Sequence, residues 1–232
     1  MHLGRNNPHY CYTMKLDGQD AQLKTCSDEK DLGVTFDNEM KFDKHIGNSV
    51  NKANKMLGLI KRSFTDIDNE TFLKLYKAMV RPHLEYGNII WHPMLKRQSI
   101  TIEKVQRRAT KLVKGFKDLT YQERLAKLNL HTLYGRRIRG DLIETYKIFN
   151  GFTDLKWNKF FDTPIYTSTR HSTGKIFIKH SHTKLRRCCY SVRVANLWNN
   201  LPIELKNAKN TNTFKNLLDE LPNFKMLCRH FD

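Results

Sequence analysis

The chain has 232 residues, with 41 Lys/Arg against 23 Asp/Glu and a formal net charge of +18. That length admits one large domain or two small ones, and 13 Phe, 9 Tyr and 3 Trp exclude wholesale disorder. The sequence holds no signal peptide and no apolar run near the ~18 residues a spanning helix requires, so an intracellular protein, nuclear or cytoplasmic, is expected, with no membrane partner.

The start of the chain reads as strands. "HYCYTMKL" alternates up to a turn at Asp17-Gly18, "AQLKTC" follows, and "KDLGVTFD" ends at Asp37-Asn38. Three short strands between Asp, Gly and Asn turns read as hairpins or a meander. A sheet that small scarcely stands alone.

Helices dominate from there. In "DKHIGNSVNKANKMLGLIKRSF" the residues Ile46, Val50, Ala53, Leu57 and Ile60 recur at helical spacing, with Asp43 as N-cap. "DNETFLKLYKAMV" is a second helix capped near Asp68; Pro82 interrupts its pattern, and "HLEYGNIIW" resumes it until Pro93. The third helix sets Ile102, Val105, Ala109, Leu112 and Val113 on one side. Lys104, Arg107, Arg108, Lys111 and Lys114 fall opposite, where a solvated face would mix signs. Thr120 and Glu123 have capping-box spacing, and a longer helix then runs to Gly151, a C′ residue. Residues 152–174, rich in Ser and Thr, read as a linker. "KIFIKH" alternates as a strand, "LRRCCYSVRVANLWNNLP" is a helix stopped before Pro202, and "NTFKNLLDEL" is a last amphipathic helix capped at Thr211 or Asn212.

The charge is clustered. Residues 103–140 carry 11 Lys/Arg against 3 Asp/Glu, and residues 170–193 carry 7 against none. Two basic blocks resemble a polyanion footprint more than general solubility, with nucleic acid first and an anionic membrane surface second. Sites for other chemistry are wanting. Asp66 and Asp68 precede a helix, Asp17 and Asp37 sit in turns, and no pair is framed by strands as a two-metal centre requires. No nucleophile elbow, P-loop or dinucleotide fingerprint occurs. His180, His182, Cys188 and Cys189 lie close in sequence, but adjacent cysteines rarely share one tetrahedral zinc, so no metal site is assigned. Trp91 and Trp198 read as core anchors, and His83 and His92 as packing residues.

Four ordered blocks carry a resemblance: "KDLGVTFDNEMKFDKHI", "KLYKAMVRPHLEYGNIIWHP", the run from Ile102 to Gly151, and "SVRVANLWNNLPIELKNAKNTNTFKNLLDEL". Together they resemble the C-terminal portion of non-LTR, LINE-type reverse transcriptases of the jockey-like lineages. The resemblance implies a palm-end β piece over 1–42, a thumb-like helical unit over 43–95, a basic helical region over 96–151, and a linker with a terminal helical unit over 152–232. It implies RNA-directed DNA synthesis as the parent activity, with RNA and DNA, as template–primer duplex, as partners. The family's Tyr/Phe-Ala-Asp-Asp strand lies upstream of the position matched by Met1. A truncated copy, inactive alone and missing its N-terminal polymerase part, is therefore expected, with no catalytic residue carried over. No cofactor is expected in this chain, Mg2+ belonging only to the full-length polymerase.

The reading is a mainly α protein with a small antiparallel β piece at the N-terminus, a thumb-like helical unit and a C-terminal helical unit. Its expected role is sequence-tolerant nucleic-acid binding through Lys104, Arg107, Arg108, Lys111, Lys114, Arg136, Arg137, Arg139, Arg186 and Arg187, as phosphate contacts. The alternative is a structural relic or protein-interaction module whose cations are a solvated shell.

Overall fold

The computed structural model describes residues 1–4, 7–163 and 174–229. Mainly helical, it begins with two separate antiparallel hairpins, β1 (Thr13–Leu16) with β2 (Gln19–Gln22) and β3 (Asp28–Asp31) with β4 (Val34–Asp37). Both turns have two central residues at positive φ, Asp17 and Gly18 in the first, Leu32 and Gly33 in the second. That backbone matches the twist of the strands it joins. "KDLGVTFD" is thus a hairpin and not the single strand its alternation suggested, because Leu32 occupies a turn position usually given to Asn or Asp. β1 and β2 are exposed along their whole length, and an isolated hairpin is marginal in water. Amide hydrogen exchange should therefore be fast over residues 13–22; slow exchange there in a monomer would contradict this placement.

Asp37 sets the entry to the helices. Its carboxylate accepts the backbone N–H groups of Glu39, Lys41 and Phe42, the last at 2.6 Å. This collar holds Phe42 at φ +60, a left-handed conformation that turns its ring into the core. α1 (Asp43–Ser63) follows with Asp43 inside its first turn rather than capping it. α2 (Asn69–Leu75) is capped by the Asp68 carboxylate, which accepts the Thr71 N–H at 2.9 Å. A π-helical turn over Tyr76–Val80 joins α2 to α3 (Arg81–Glu85). Pro82 therefore ends no helix: it stands in the first turn of α3, where a missing N–H costs little. The pattern does not resume to Pro93, since α3 stops at Glu85.

α4 (Lys96–Ala109) leads through a 3₁₀ turn (Thr110–Leu112) to α5 (Tyr121–Leu128), whose Thr120–Glu123 capping box is formed. α6 (Leu133–Phe149) ends with Gly151 at φ +68, and the N–H groups of Gly151 and Phe152 return to the Ile148 and Lys147 carbonyls. The expected linker contains α7 (Trp157–Phe160) and a buried Phe161, while residues 164–173 lie outside the described ones. "KIFIKH" is not a strand: Ile176 exchanges its backbone groups with the Asn199 side-chain amide at 2.8 and 2.9 Å, and among the described residues no second strand accompanies it. "LRRCCYSVRVANLW" forms two helices, α8 (Lys184–Cys188) and α9 (Tyr190–Asn199), broken at extended Cys189. α10 (Ile203–Lys206), α11 (Thr211–Glu220) and α12 (Pro222–Arg229) complete the described residues, with Asn210 as the α11 cap.

Two cores result. The first runs from Val34 to Leu133 and includes Trp91, Ile102, Val105, Ala109 and Val113. The second gathers Ile138, Leu142, Tyr146, Trp198, Phe214 and Leu218. The division between the two cores falls inside α6, since α4 and α5 supply apolar faces that α1–α3 need.

Candidate nucleic-acid interface

α4 follows its period. Ile102, Val105 and Ala109 are buried, and from Thr101 to Lys114 the exposed residues are Thr101, Lys104, Arg107, Arg108, Lys111 and Lys114. The one carboxylate in that span, Glu103, is fully buried, so the outward face carries a single sign. α4 lies parallel to α1 with an offset of 54 residues. Asp43 Oδ2 accepts from Arg97 at 3.3 Å, and Asn54 Oδ1 accepts from Arg108 Nη2 at 2.8 Å. Gln98 strengthens the near end by donating to the Lys41 carbonyl and to Asp43 Oδ1, and its own side-chain oxygen accepts the Leu95 N–H.

The five cations of this block differ in their engagements. Lys104 and Lys111 make no ion pair among the described residues. Arg107 lies 4.7 Å over the Tyr121 ring, and Arg108 is held by Asn54. Lys114 stands past the helix; its N–H bonds the Ile67 carbonyl and its ammonium pairs with Asp66 at 2.9 Å. That pair is exposed on both sides, so its attraction is weak and easily exchanged for another anion.

The α6 arginines are placed differently. Arg136 forms a bidentate pair with Glu85, and Arg139 one with Asp219 at 2.7 Å through both nitrogens. Arg137 is 1% exposed, beyond the reach of a phosphate in this fold. Its Nη2 donates to Ser99 Oγ at 3.4 Å, and its Nε and Nη1 have no protein partner. Burial pulls its guanidinium down to about 10, against the counter-effect of Glu103. All three arginines hold the fold together instead of facing solvent, because their partners come from α3, α4 and α11. Arg186 and Arg187 on α8 are exposed. Lys184 and Leu185 of that helix line a groove shared with Met94 and Leu95, the residues leading into α4.

Around the interface runs a buried polar network that the linear pattern did not reveal. Gln106 accepts from Tyr76 at 2.5 Å and donates to Tyr121 at 2.8 Å. Glu103 accepts from Tyr121 at 2.5 Å and from the N–H groups of Leu133 and Tyr134 at the start of α6. Burial raises the Glu103 carboxyl above its usual range while these donors pull it back. Arg193 is a second tie: it takes Asp141 with two 2.8 Å bonds and donates to the carbonyls of Cys188 and Ile89, so it fastens the second core to the first. Burial, then the charges of Arg193 and Arg137, lowers His92 to about 3, so its ring is neutral.

A further concave surface lies on the other exposed side of α1, between β3–β4 and α3, with a volume of about 560 Å³. Lys30, Lys52 and Lys55 line it; they come from two elements and form no basic block in the sequence. Among the described residues no cluster of His, Cys, Asp and Glu could hold a metal ion, and no helix is long and apolar enough to cross a membrane. Comparison with protein-family models, with curated proteins and with solved structures gave no match.

Proposed function

We propose that this chain binds nucleic acid without sequence preference, holding the phosphate backbone of a template–primer duplex along α4, as the thumb and C-terminal region of a non-LTR retrotransposon reverse transcriptase would. The observation that carries the reading is the one-signed outward face of α4, with Lys104, Arg107, Arg108 and Lys111 exposed and Glu103 withdrawn into the core. Arg186 and Arg187 on α8 are exposed as well, whereas Arg136, Arg137 and Arg139 are fold-holding residues. Cations on a helix fixed to its neighbour at both ends would contact phosphates, Lys104 and Lys111 as point charges and Arg107 and Arg108 through their guanidinium forks, and position the duplex without reading its bases. We assign no catalytic residue; RNA-directed DNA synthesis is the activity of the family the sequence resembles.

A salt titration tests the reading. Affinity for an RNA–DNA primer–template should fall by orders of magnitude between ~50 and ~200 mM salt, and duplexes of unrelated sequence should bind alike. If no binding is measurable at low salt, the reading fails and the interaction-module alternative stands.

A further inference from the structure

The pocket on α1 has features of its own. Asn48, Asn51, Lys52 and Lys55 form one stripe at helical spacing along its floor. β3 supplies Lys30 from the opposite wall; strand alternation turns Glu29 and Asp31 to the other face, and Asp28 is paired with Lys44 at 2.5 Å. No carboxylate lines the pocket, and Lys30, Lys52 and Lys55 make no ion pair among the described residues. Three lysines without ion pairs among the described residues thus line one cavity of about 560 Å³, a volume suited to a small ligand.

The walls are fixed before any ligand arrives. His45 Nδ1 accepts the Thr35 N–H at 3.2 Å and its Nε2 lies 3.5 Å from Ser49 Oγ, so both ring nitrogens are engaged in pinning the hairpin to α1. Tyr86 donates its hydroxyl to the Leu32 carbonyl at 2.8 Å, which anchors the hairpin turn to the end of α3. A Cβ on Gly33 would stand 3.1 Å from the Tyr86 ring, and the φ of +85 there independently favours glycine. The Tyr86 ring, tethered at its hydroxyl, is nevertheless 61% exposed at the pocket rim. A held, exposed ring beside cations and amide side chains is the equipment for stacking a base while phosphate is neutralised.

We propose that this pocket binds a nucleoside phosphate, with Lys30, Lys52 and Lys55 taking the phosphate and the Tyr86 ring stacking on the base. This goes beyond the duplex-binding reading and rests on none of its residues: the stripe and the α4-facing residue Asn54 lie about a third of a turn apart on α1. The nucleoside phosphate can be a free nucleotide or the phosphorylated end of a strand, which share this chemistry.

Calorimetric titration of the full chain tests it, with adenosine 5′-triphosphate, adenosine, and a short single strand carrying or lacking a 5′-phosphate. The expected result is binding of adenosine 5′-triphosphate but not adenosine. That binding should fall at least about tenfold in the K52A/K55A variant and stay unchanged in R107A/R108A. A gain from the 5′-phosphate that K52A/K55A removes identifies the strand end as the source; a response to the free nucleotide alone identifies the nucleotide. No nucleotide binding, full binding by K52A/K55A, or equal loss in both variants overturns the proposal. Duplex affinity measured on the same proteins reports on α4 separately, since R107A/R108A should weaken it whether or not the pocket binds.

Discussion

Replacing Lys104, Arg107, Arg108 and Lys111 together by alanine should lower duplex affinity about a hundredfold at ~50 mM salt and flatten the salt dependence. Each phosphate contact contributes about 0.9 to the slope of log affinity against log salt, so four lost contacts should reduce it by roughly 3 to 4. The fold should survive. Arg107 gives up its place over the Tyr121 ring and Arg108 its bond to Asn54, interactions worth about 0.5–1.5 kcal/mol each at exposed positions. Melting should drop by several degrees at most, at about 2–4 °C per kcal/mol for a chain of this size. R137M supplies the opposing control: Arg137 is buried, so that substitution can alter stability but should leave the slope where it was. A slope unchanged in the fourfold variant would remove α4 from the interface.

Replacing Glu103 by alanine should be the most damaging single change in the first core. Its carboxylate accepts from the Tyr121 hydroxyl and from two N–H groups at the start of α6, and it is the foremost countercharge to buried Arg137. Removing it strands three donors and leaves buried Arg137 with only the weaker countercharges of Glu85 and Asp141, at a cost of about 3–5 kcal/mol. Melting should fall by roughly 10 °C, with Glu103→Gln milder because an acceptor oxygen remains. A melting temperature for the alanine variant within error of the parent would show that Glu103 is not the keystone the geometry indicates.

The legibility of this chain varied with the range of the interaction concerned. The apolar stripe of α4 and its cationic reverse could be read directly, because both follow from a local period of 3.6 residues and Glu103 happens to fall on the buried side. The same rule failed for Arg136, Arg137 and Arg139. Their fates are decided by Glu85 and Asp219, 51 and 80 residues away, and by the interior that closes over Arg137. Short alternating runs misled in another way. "KIFIKH" has the alternation of a strand, but a strand requires a partner, and the Asn199 amide takes that part. The pocket on α1 was invisible because its walls belong to a hairpin and a helix, and the hairpin itself was hidden by a leucine at a turn position.

α6 has the last consequence. It begins in the first core at Leu133 and, within one turn and a half, enters the second at Ile138. The two cores thus share a continuous hydrogen-bonded rod and not a loop, and Arg193 adds a strut between α9 and the Ile89 carbonyl beside it. Neither half can swing against the other without bending that rod. A pull on α4 would therefore reach the far helices as a force on a single rigid lever.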